Sequence, residues 1–201
     1  MNKRNFRILL LSLSICAGAC NSAAPPQSSQ ALTGGNRGSQ PVPMPREKDL
    51  ASVMDLKIEK LDGETFALAD FRGKVLVVDF WATDCAPCAR MVPKLAEMSR
   101  QYRGQGLEIV GLTSDEKSDR NLVVEFLKKR GADYTVGFGN RWLSSAFLKG
   151  SEDVTGAPPI PQLFVFSREG QVVEHLIGDQ PGRGVDYLEQ VVKRHLNGAP
   201  N

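Results

Sequence analysis

Two cysteines, Cys85 and Cys88, have the spacing and the setting of a redox pair. They follow the apolar run 75–80, which predicts a buried strand, and they stand where a helix is expected to begin. The free backbone N–H groups and the positive dipole end of a helix favour an anion, so a thiol there ionises more easily than in solution. The second cysteine lies one turn further along, close enough to form a disulfide with the first. This arrangement predicts thiol–disulfide exchange.

A metal site and a purely structural pair are the alternative interpretations of this spacing. Zinc requires four ligands, and the sequence has no second pair of cysteines at the same spacing. The histidines, His175 and His195, lie far downstream without ligand spacing, and Ala89 stands where a c-type haem attachment motif requires histidine. Redox chemistry is therefore the favoured function, and no metal is predicted.

The elements that must position the pair are predicted from periodicity and turn residues. The strand over 75–80 leads into a helix from Ala86 to Tyr102, which Pro93 is expected to kink. A hairpin is expected to turn at Asp62-Gly63. The remaining predicted elements are strands over 107–113, 134–136, 162–166 and 171–177, and helices after Ser118, after Asn140 and over 185–196. This alternation predicts an α/β domain with a mixed sheet.

The first residues have the features of a bacterial secretory signal. Basic residues precede the apolar run 8–15, which is far shorter than the roughly 20 residues needed to cross a bilayer. Ala17-Gly-Ala-Cys20 resembles the lipobox at which a lipoprotein signal is cleaved, which predicts a signal peptide over 1–19 and acylation of Cys20. The alternative is ordinary secretion after Ala19, which leaves Cys20 as a free thiol.

The segment after Cys20 predicts a disordered tether, and 20–50 is assigned to the lipidated cysteine and this tether. It is rich in Ser, Pro, Gly and Gln and has almost no large apolar residue, so it cannot bury enough surface to fold. A globular domain is predicted over 51–197. The formal net charge is +2, and removal of the basic leader would leave the mature chain close to neutral. Nucleic acid is therefore not an expected partner.

Several motifs together resemble the thioredoxin superfamily and, within it, the membrane-tethered TlpA/ResA group. They are Asp79-Phe-Trp-Ala82, Cys85-Ala-Pro-Cys88, Pro93, Ile160-Pro161 and the segment 66–74. The resemblance covers most of the predicted globular domain. It implies an α/β thioredoxin fold, in which a central mixed sheet is flanked by helices and an N-terminal β-hairpin is added.

The resemblance also assigns roles around the pair. Pro161 is expected to follow a cis peptide bond and to face the cysteines, and the backbone of Ile160 is expected to pair with an extended substrate. Asp79 is expected to be buried with a raised pKa and to accept the proton of the Cys88 thiol. The alternative is that Asp79 only bonds a backbone group near the strand end.

Trp81, Ala86 and Pro87 complete the expected substrate-binding surface, and no cofactor beyond the redox-active disulfide is implied. The chain departs from the family pattern in three places. Met91 stands where specialised reductases of the group usually have Glu, Gln162 replaces the usual Thr, and Asp84 precedes Cys85 where Trp is common. These departures leave the partner and the redox poise open, but not the reaction.

These features predict an extracytoplasmic thiol–disulfide oxidoreductase, with a reductase favoured. The expected partners are protein disulfides or dithiols, an electron-donating thiol protein of the membrane or envelope, and the membrane itself through a lipid on Cys20. The expected location is the periplasmic side of a bacterial envelope. Asn21, and not Asp, follows Cys20, so the sequence does not signal retention in the inner membrane and the outer membrane remains an alternative. The alternatives are a peroxiredoxin-like peroxidase, a copper-binding chaperone and a structural lipoprotein. Ala82 counts against the peroxidase, which needs Thr or Ser three residues before its cysteine.

Overall fold

A computed structural model describes Pro45 and residues 47–149, 158–178 and 183–198. The predicted signal peptide, Cys20 and most of the predicted tether lie outside these residues. The described elements, in chain order, are α1 (Glu47–Ala51), β1 (Ile58–Glu59), β2 (Thr65–Phe66), β3 (Val75–Trp81), α2 (Ala86–Tyr102), β4 (Leu107–Thr113), α3 (Arg120–Lys129), β5 (Thr135–Phe138), α4 (Arg141–Leu148), β6 (Gln162–Phe166), β7 (Val172–Ile177) and α5 (Val185–Leu196).

Five strands form a central mixed sheet in the order β5-β4-β3-β6-β7. β3 and β4 are parallel, as are β4 and β5, whereas β6 is antiparallel to both β3 and β7. All seven residues of β3 are buried, as expected for a central strand with both faces of its sheet covered. The mixed sheet, the flanking helices and the separate two-stranded hairpin of β1 and β2 confirm the predicted fold class.

Alternate residues of β3 supply two apolar layers, because successive side chains of a strand point to opposite faces of the sheet. Val77 and Trp81 pack in the first layer, against α2, α3 and α5. Val78 and Phe80 pack in the second layer, against α1, α4 and the hairpin. Both cysteines belong to the first layer, so this side of the sheet positions the candidate site.

The hairpin rests against the edge strand β5 at a glycine. Lys60 forms an isolated antiparallel bridge with Gly137. A Cβ atom on Gly137 would lie 2.6 Å from Ile58 Cγ2 and 2.8 Å from Phe66 Cε1, so only glycine lets the hairpin approach this closely. The paired segments of the hairpin are shorter than the predicted strands, since only Ile58–Glu59 and Thr65–Phe66 are in register.

Two boundaries differ from the sequence expectations. The folded part begins with α1, before residue 51, because Leu50 is buried in the second layer. α3 begins at Arg120 after a 3₁₀ turn over Lys117–Asp119, and not from a cap on Ser118. Among the residues that the structure describes, no helix is long and apolar enough to cross a bilayer.

Candidate active site

Cys85 and Cys88 form a disulfide where β3 leads into α2. Their sulfur atoms are 1.98 Å apart, and their Cα atoms are 5.2 Å apart. Cys85 is the N-cap of α2, with extended backbone angles, and Pro87 lies in the first helical turn, where its missing N–H costs no helical hydrogen bond. Cys85 is 9% exposed, whereas Cys88 is completely buried. Cys85 is therefore the sulfur that an incoming substrate can reach.

The start of α2 provides a hydrogen bond to the sulfur of Cys85. The backbone N–H of Cys88 lies 3.2 Å from Cys85 Sγ and donates to it. α2 is 17 residues long and has no acidic residue in its first turn, so the positive end of its dipole is not offset there by a carboxylate of the helix itself. Both effects favour a thiolate on Cys85 after the disulfide is reduced. Asp84, which precedes Cys85, is exposed to solvent.

The loop before β6 lies against Cys85. The peptide bond between Ile160 and Pro161 is cis, and the carbonyl oxygen of Ile160 lies 3.7 Å from Cys85 Sγ. Ile160 is partly exposed. On the other side of the loop, the carbonyl of Pro161 accepts a hydrogen bond of 2.8 Å from the backbone N–H of Gly178. The loop thus brings the partly exposed residue Ile160 to the edge of the disulfide.

Gln162 and His175 support this loop from the second layer. The side-chain amide of Gln162 donates to the carbonyl of Pro159 over 2.8 Å, and its oxygen lies 2.7 Å from His175 Nε2. The ring of His175 stacks on Phe164, with centroids 4.0 Å apart. Sequence reasoning treated Gln162 only as a departure from Thr, because its pairing with His175 depends on the register of β6 and β7.

Asp79 lies on the face of β3 that also carries Val77 and Trp81, in the layer under the cysteines. It is 1% exposed, and its Oδ1 atom has no hydrogen-bond partner among the described residues. Desolvation raises the pKa of Asp79 from 3.8 to about 7. The expected rise in pKa is therefore found, and its cause is the burial of a carboxyl group in an apolar strand.

Asp115 fixes the segment before Cys85, and sequence reasoning missed it. Its carboxylate accepts hydrogen bonds from the backbone N–H of Thr83 over 3.0 Å and from the Thr83 hydroxyl over 2.6 Å, and it also accepts from the hydroxyl of Thr113. The sequence signal that could have identified Asp115 is the polar segment directly after β4. Neighbouring parallel strands end at the same edge of a sheet, so this segment is expected to lie beside the end of β3.

The other predicted site residues differ in their exposure to solvent. Ala86 is exposed and Pro87 is partly exposed, so both face the side from which a substrate would approach. Trp81 is completely buried and stacks on Phe126 with ring centroids 5.1 Å apart. It therefore does not lie on the substrate-facing surface, in contrast to the expectation from the sequence. Met91 is also buried in the first layer. Cys20 lies outside the described residues.

The copper-binding alternative would need a further ligand beside the two thiols, and His175 does not lie near them. His175 packs on Phe164 in the second layer, on the opposite face of the sheet from Met91 and the cysteines. Within residues 47–149, 158–178 and 183–198, no three His, Cys, Asp or Glu side chains are grouped in a way that could hold a metal ion.

Comparison with known proteins agrees with this geometry. The Redoxin family model matches residues 43–192. Thiol-disulfide oxidoreductase ResA of Bacillus thuringiensis (strain Al Hakam) is 30% identical over 137 residues, which are 67% of this chain and 73% of that protein. The ResA protein of Bacillus subtilis (strain 168) is 30% identical over 143 residues, covering 70% of this chain and 74% of that protein.

Solved structures share the same architecture. A thiol:disulfide interchange protein of the thioredoxin family from Chlorobium tepidum TLS superposes with a TM-score of 0.60 at 25% identity, covering 79% of this chain and 99% of that one. Peroxiredoxin Q from Xanthomonas campestris superposes with a TM-score of 0.61 at 20% identity over 77% of this chain and 97% of that one, a likeness of fold alone. The chain belongs to the Redoxin family and is a TlpA/ResA-like thiol–disulfide oxidoreductase of the thioredoxin superfamily.

Proposed function

We propose that this enzyme reduces disulfides of proteins outside the cytoplasm, with Cys85 as the nucleophile and Cys88 as the resolving thiol. The observation that carries the assignment is the asymmetry of the pair at the start of α2: Cys85 keeps 9% of its surface exposed and accepts a backbone hydrogen bond, whereas Cys88 is completely buried. A sulfur that keeps some solvent contact and whose thiolate is stabilised can attack a substrate, and a completely buried one can attack only its neighbour.

The proposed cycle begins with the reduced pair. The thiolate of Cys85 attacks one sulfur of a substrate disulfide, a mixed disulfide forms, and the other substrate sulfur leaves as a thiolate. Asp79 then takes the proton of the Cys88 thiol, and the Cys88 thiolate attacks Cys85 Sγ. The substrate is released with two reduced sulfurs, and the enzyme is left with the Cys85–Cys88 disulfide. Two electrons have passed from enzyme to substrate, and no cofactor is needed for this step.

The loop at Ile160 is the proposed docking site for the substrate chain. The carbonyl of Ile160 lies next to Cys85 Sγ, and the residue is partly exposed, so an extended peptide can pair with its backbone while the substrate cysteine meets Cys85. Ala86 and Pro87 form the opposite side of this contact. Backbone pairing requires no particular substrate sequence, which suits an enzyme that acts on several proteins.

Regeneration requires a second thiol protein that reduces the Cys85–Cys88 disulfide, and we propose that this donor belongs to the membrane or envelope. The support for an extracytoplasmic, lipid-tethered enzyme is the sequence before residue 21: a basic start, a short apolar run and a lipobox-like Cys20. Replacement of Cys20 by Ala should move the protein from the membrane fraction to the soluble fraction of the envelope. Unchanged membrane association of this variant would exclude the lipid tether.

The decisive experiment for the function is trapping with a Cys88→Ser variant. Because the resolving thiol is absent, Cys85 should accumulate mixed disulfides that appear on non-reducing gels and disappear with a reductant. The matched control is Cys85→Ser, which retains one thiol of the same pair but should form no adducts because Cys88 is buried. A Cys88→Ser protein without adducts would exclude exchange through Cys85. Parallel assays of peroxide consumption and copper content test the two alternative functions.

A further inference from the structure

Gln162 and His175 are polar side chains buried among aromatic rings of the second layer. Gln162 is completely buried, and His175 is nearly so. His175 lies face to face with Phe164, with 19° between the ring planes, and Phe164 packs in turn on Phe147. Polar groups in such surroundings cost free energy unless their hydrogen bonds are made, and a satisfied buried network fixes one particular arrangement. The Gln162–His175 pair therefore holds its neighbours more specifically than apolar packing would.

The hydrogen bond to Pro159 fixes the orientation of this pair. The carbonyl of Pro159 can only accept, so the NH₂ group of Gln162 must face it, at 2.8 Å. The amide oxygen of Gln162 therefore faces His175. Because this oxygen also can only accept, His175 Nε2 must carry a proton and donates it over 2.7 Å. The two side chains thus form a directed chain of hydrogen bonds from β7 through β6 to the loop.

This chain of hydrogen bonds ends directly beside Ile160. On one side of Ile160, the carbonyl of Pro159 accepts from the buried amide. On the other side, the carbonyl of Pro161 accepts from the backbone N–H of Gly178 over 2.8 Å. Ile160 is held between these two anchors, and its own carbonyl lies 3.7 Å from Cys85 Sγ. Both anchors depend on β7 or on the residue directly after it, so β7 sets the position of the Ile160 backbone relative to the reacting sulfur.

We propose that Gln162 and His175 are positioning residues that make the enzyme selective for disulfides carried by an extended peptide chain. The proposal rests on the proposed docking of the substrate backbone at Ile160. Because the pair fixes the loop before a substrate arrives, binding does not have to order it, and backbone pairing contributes fully to affinity. A small disulfide without a peptide backbone makes no such pairing at Ile160, so it gains nothing from the fixed loop.

The reaction that tests this selectivity is a single exchange with a defined substrate. The substrate is a peptide with one cysteine, as its mixed disulfide with β-mercaptoethanol. The Cys85 thiolate attacks the peptide sulfur, a bond between the two sulfurs forms, and β-mercaptoethanol leaves as a thiolate. Cys88 then attacks Cys85 Sγ and releases the peptide thiol, so two electrons have passed from the enzyme to the disulfide. The symmetric disulfide of β-mercaptoethanol is the comparison substrate, because it has the same leaving group and no backbone.

The test compares both substrates on the wild type and on Gln162→Met, with the full chain reduced beforehand so that no electron donor is needed. Met is unbranched like Gln but cannot donate to the Pro159 carbonyl. For the peptide disulfide, the half-saturating concentration should rise about tenfold, as expected for loss of one buried hydrogen bond, while the limiting rate stays unchanged. The rate with the symmetric disulfide should also stay unchanged.

Phe147→Leu is the matched control for this variant. It removes packing beside Phe164 in the same layer, but its side chain has no polar atom that could hold the loop. It should therefore lower the melting temperature and leave the ratio of the two rates unchanged. If Gln162→Met reacts with both substrates as the wild type does, or is slowed equally with both, the proposal is overturned.

Two replacements of His175 separate positioning from packing. His175→Phe keeps a ring on Phe164 but loses the donor to Gln162, so selectivity for the peptide should fall. His175→Gln loses the ring, but its amide N–H can take the place of the Nε2 donor, so selectivity should be retained. A packing role predicts the reverse order. Selectivity that is kept in His175→Phe, or lost in His175→Gln, overturns the proposal, also where Gln162→Met does not fold.

NMR of the His175 ring measures the orientation of the pair without any substrate. Nε2 should carry a slowly exchanging proton in the wild type, because the ring is buried and this nitrogen donates to Gln162. An Nε2 atom without a proton would reverse the amide, remove the donor to Pro159 and overturn the proposal. Failure of the proposed function would appear separately, because the reduced wild type would then react with neither disulfide and Cys88→Ser would form no adducts.

Discussion

Replacement of Asp79 by Asn should change how the stability of the domain depends on pH. Burial raises the pKa of Asp79 from 3.8 to about 7 in the folded protein. A raised folded-state pKa means that the stabilising contribution is fully present below about pH 3.8 and is lost as the pH rises through about 7. Asn has nearly the same shape and no charge, so the variant lacks this dependence.

The magnitude follows from the shift. The difference between a pKa of 3.8 and one of about 7 corresponds to a loss of about 4 kcal/mol in the free energy of unfolding at high pH. Most of this falls in an accessible range: between about pH 5 and pH 8.5 the wild type should lose roughly 3 kcal/mol relative to Asp79→Asn. The variant should therefore be the more stable protein at alkaline pH, although it should be the slower enzyme.

The assay is guanidinium unfolding of the oxidised proteins at several pH values, with Asp55→Asn as a control for removing an exposed acid. The control should follow the wild type at every pH. If the difference between the wild type and Asp79→Asn stays constant from about pH 5 to pH 8.5, the carboxyl does not titrate in this range and the reasoning from burial is wrong.

The remaining predictions concern the support of the hairpin and of the segment before Cys85. Gly137→Ala should lower the free energy of unfolding by about 1–3 kcal/mol, because the added Cβ atom would overlap the hairpin. Gly104→Ala is the control: its Cβ atom would point into open space, so it should be nearly neutral. Thermal unfolding of both variants measures the difference. Asp115→Ala should cost about 2 kcal/mol and slow disulfide reduction about tenfold, because Thr83 loses its carboxylate partner. Wild-type melting and kinetics in Asp115→Ala would show that this contact does not hold the pair.

The sequence predicted those parts of the site that depend on local pattern. The apolar run before Cys85 and the helix after it gave the position of the pair, since strand and helix periodicity are encoded over a few residues. The alternation of side chains along a strand also places Trp81 in the core. Trp81 lies two residues after Asp79 on β3, so both side chains point into the same buried layer. The expectation that Trp81 contacts substrate overlooked this alternation.

Residues that act through long-range contacts could not be found in this way. Asp115 bonds Thr83 across 32 residues, and Gln162 meets His175 only because β6 and β7 pair in a particular register. The packing and register of the sheet determine such partners, and local sequence patterns do not predict them.

The sequence by itself determined the cysteine pair and its place at a helix terminus, because two cysteines three positions apart at the start of a helix need only local backbone geometry to meet. The tertiary structure decided what surrounds them. It brought the carbonyl of Ile160, which is 75 positions from Cys85, to 3.7 Å from its sulfur. It also buried Asp79 deeply enough to raise its pKa to about 7. Desolvation depends on every segment that covers a group, so it is a property of the packed fold and not of any motif.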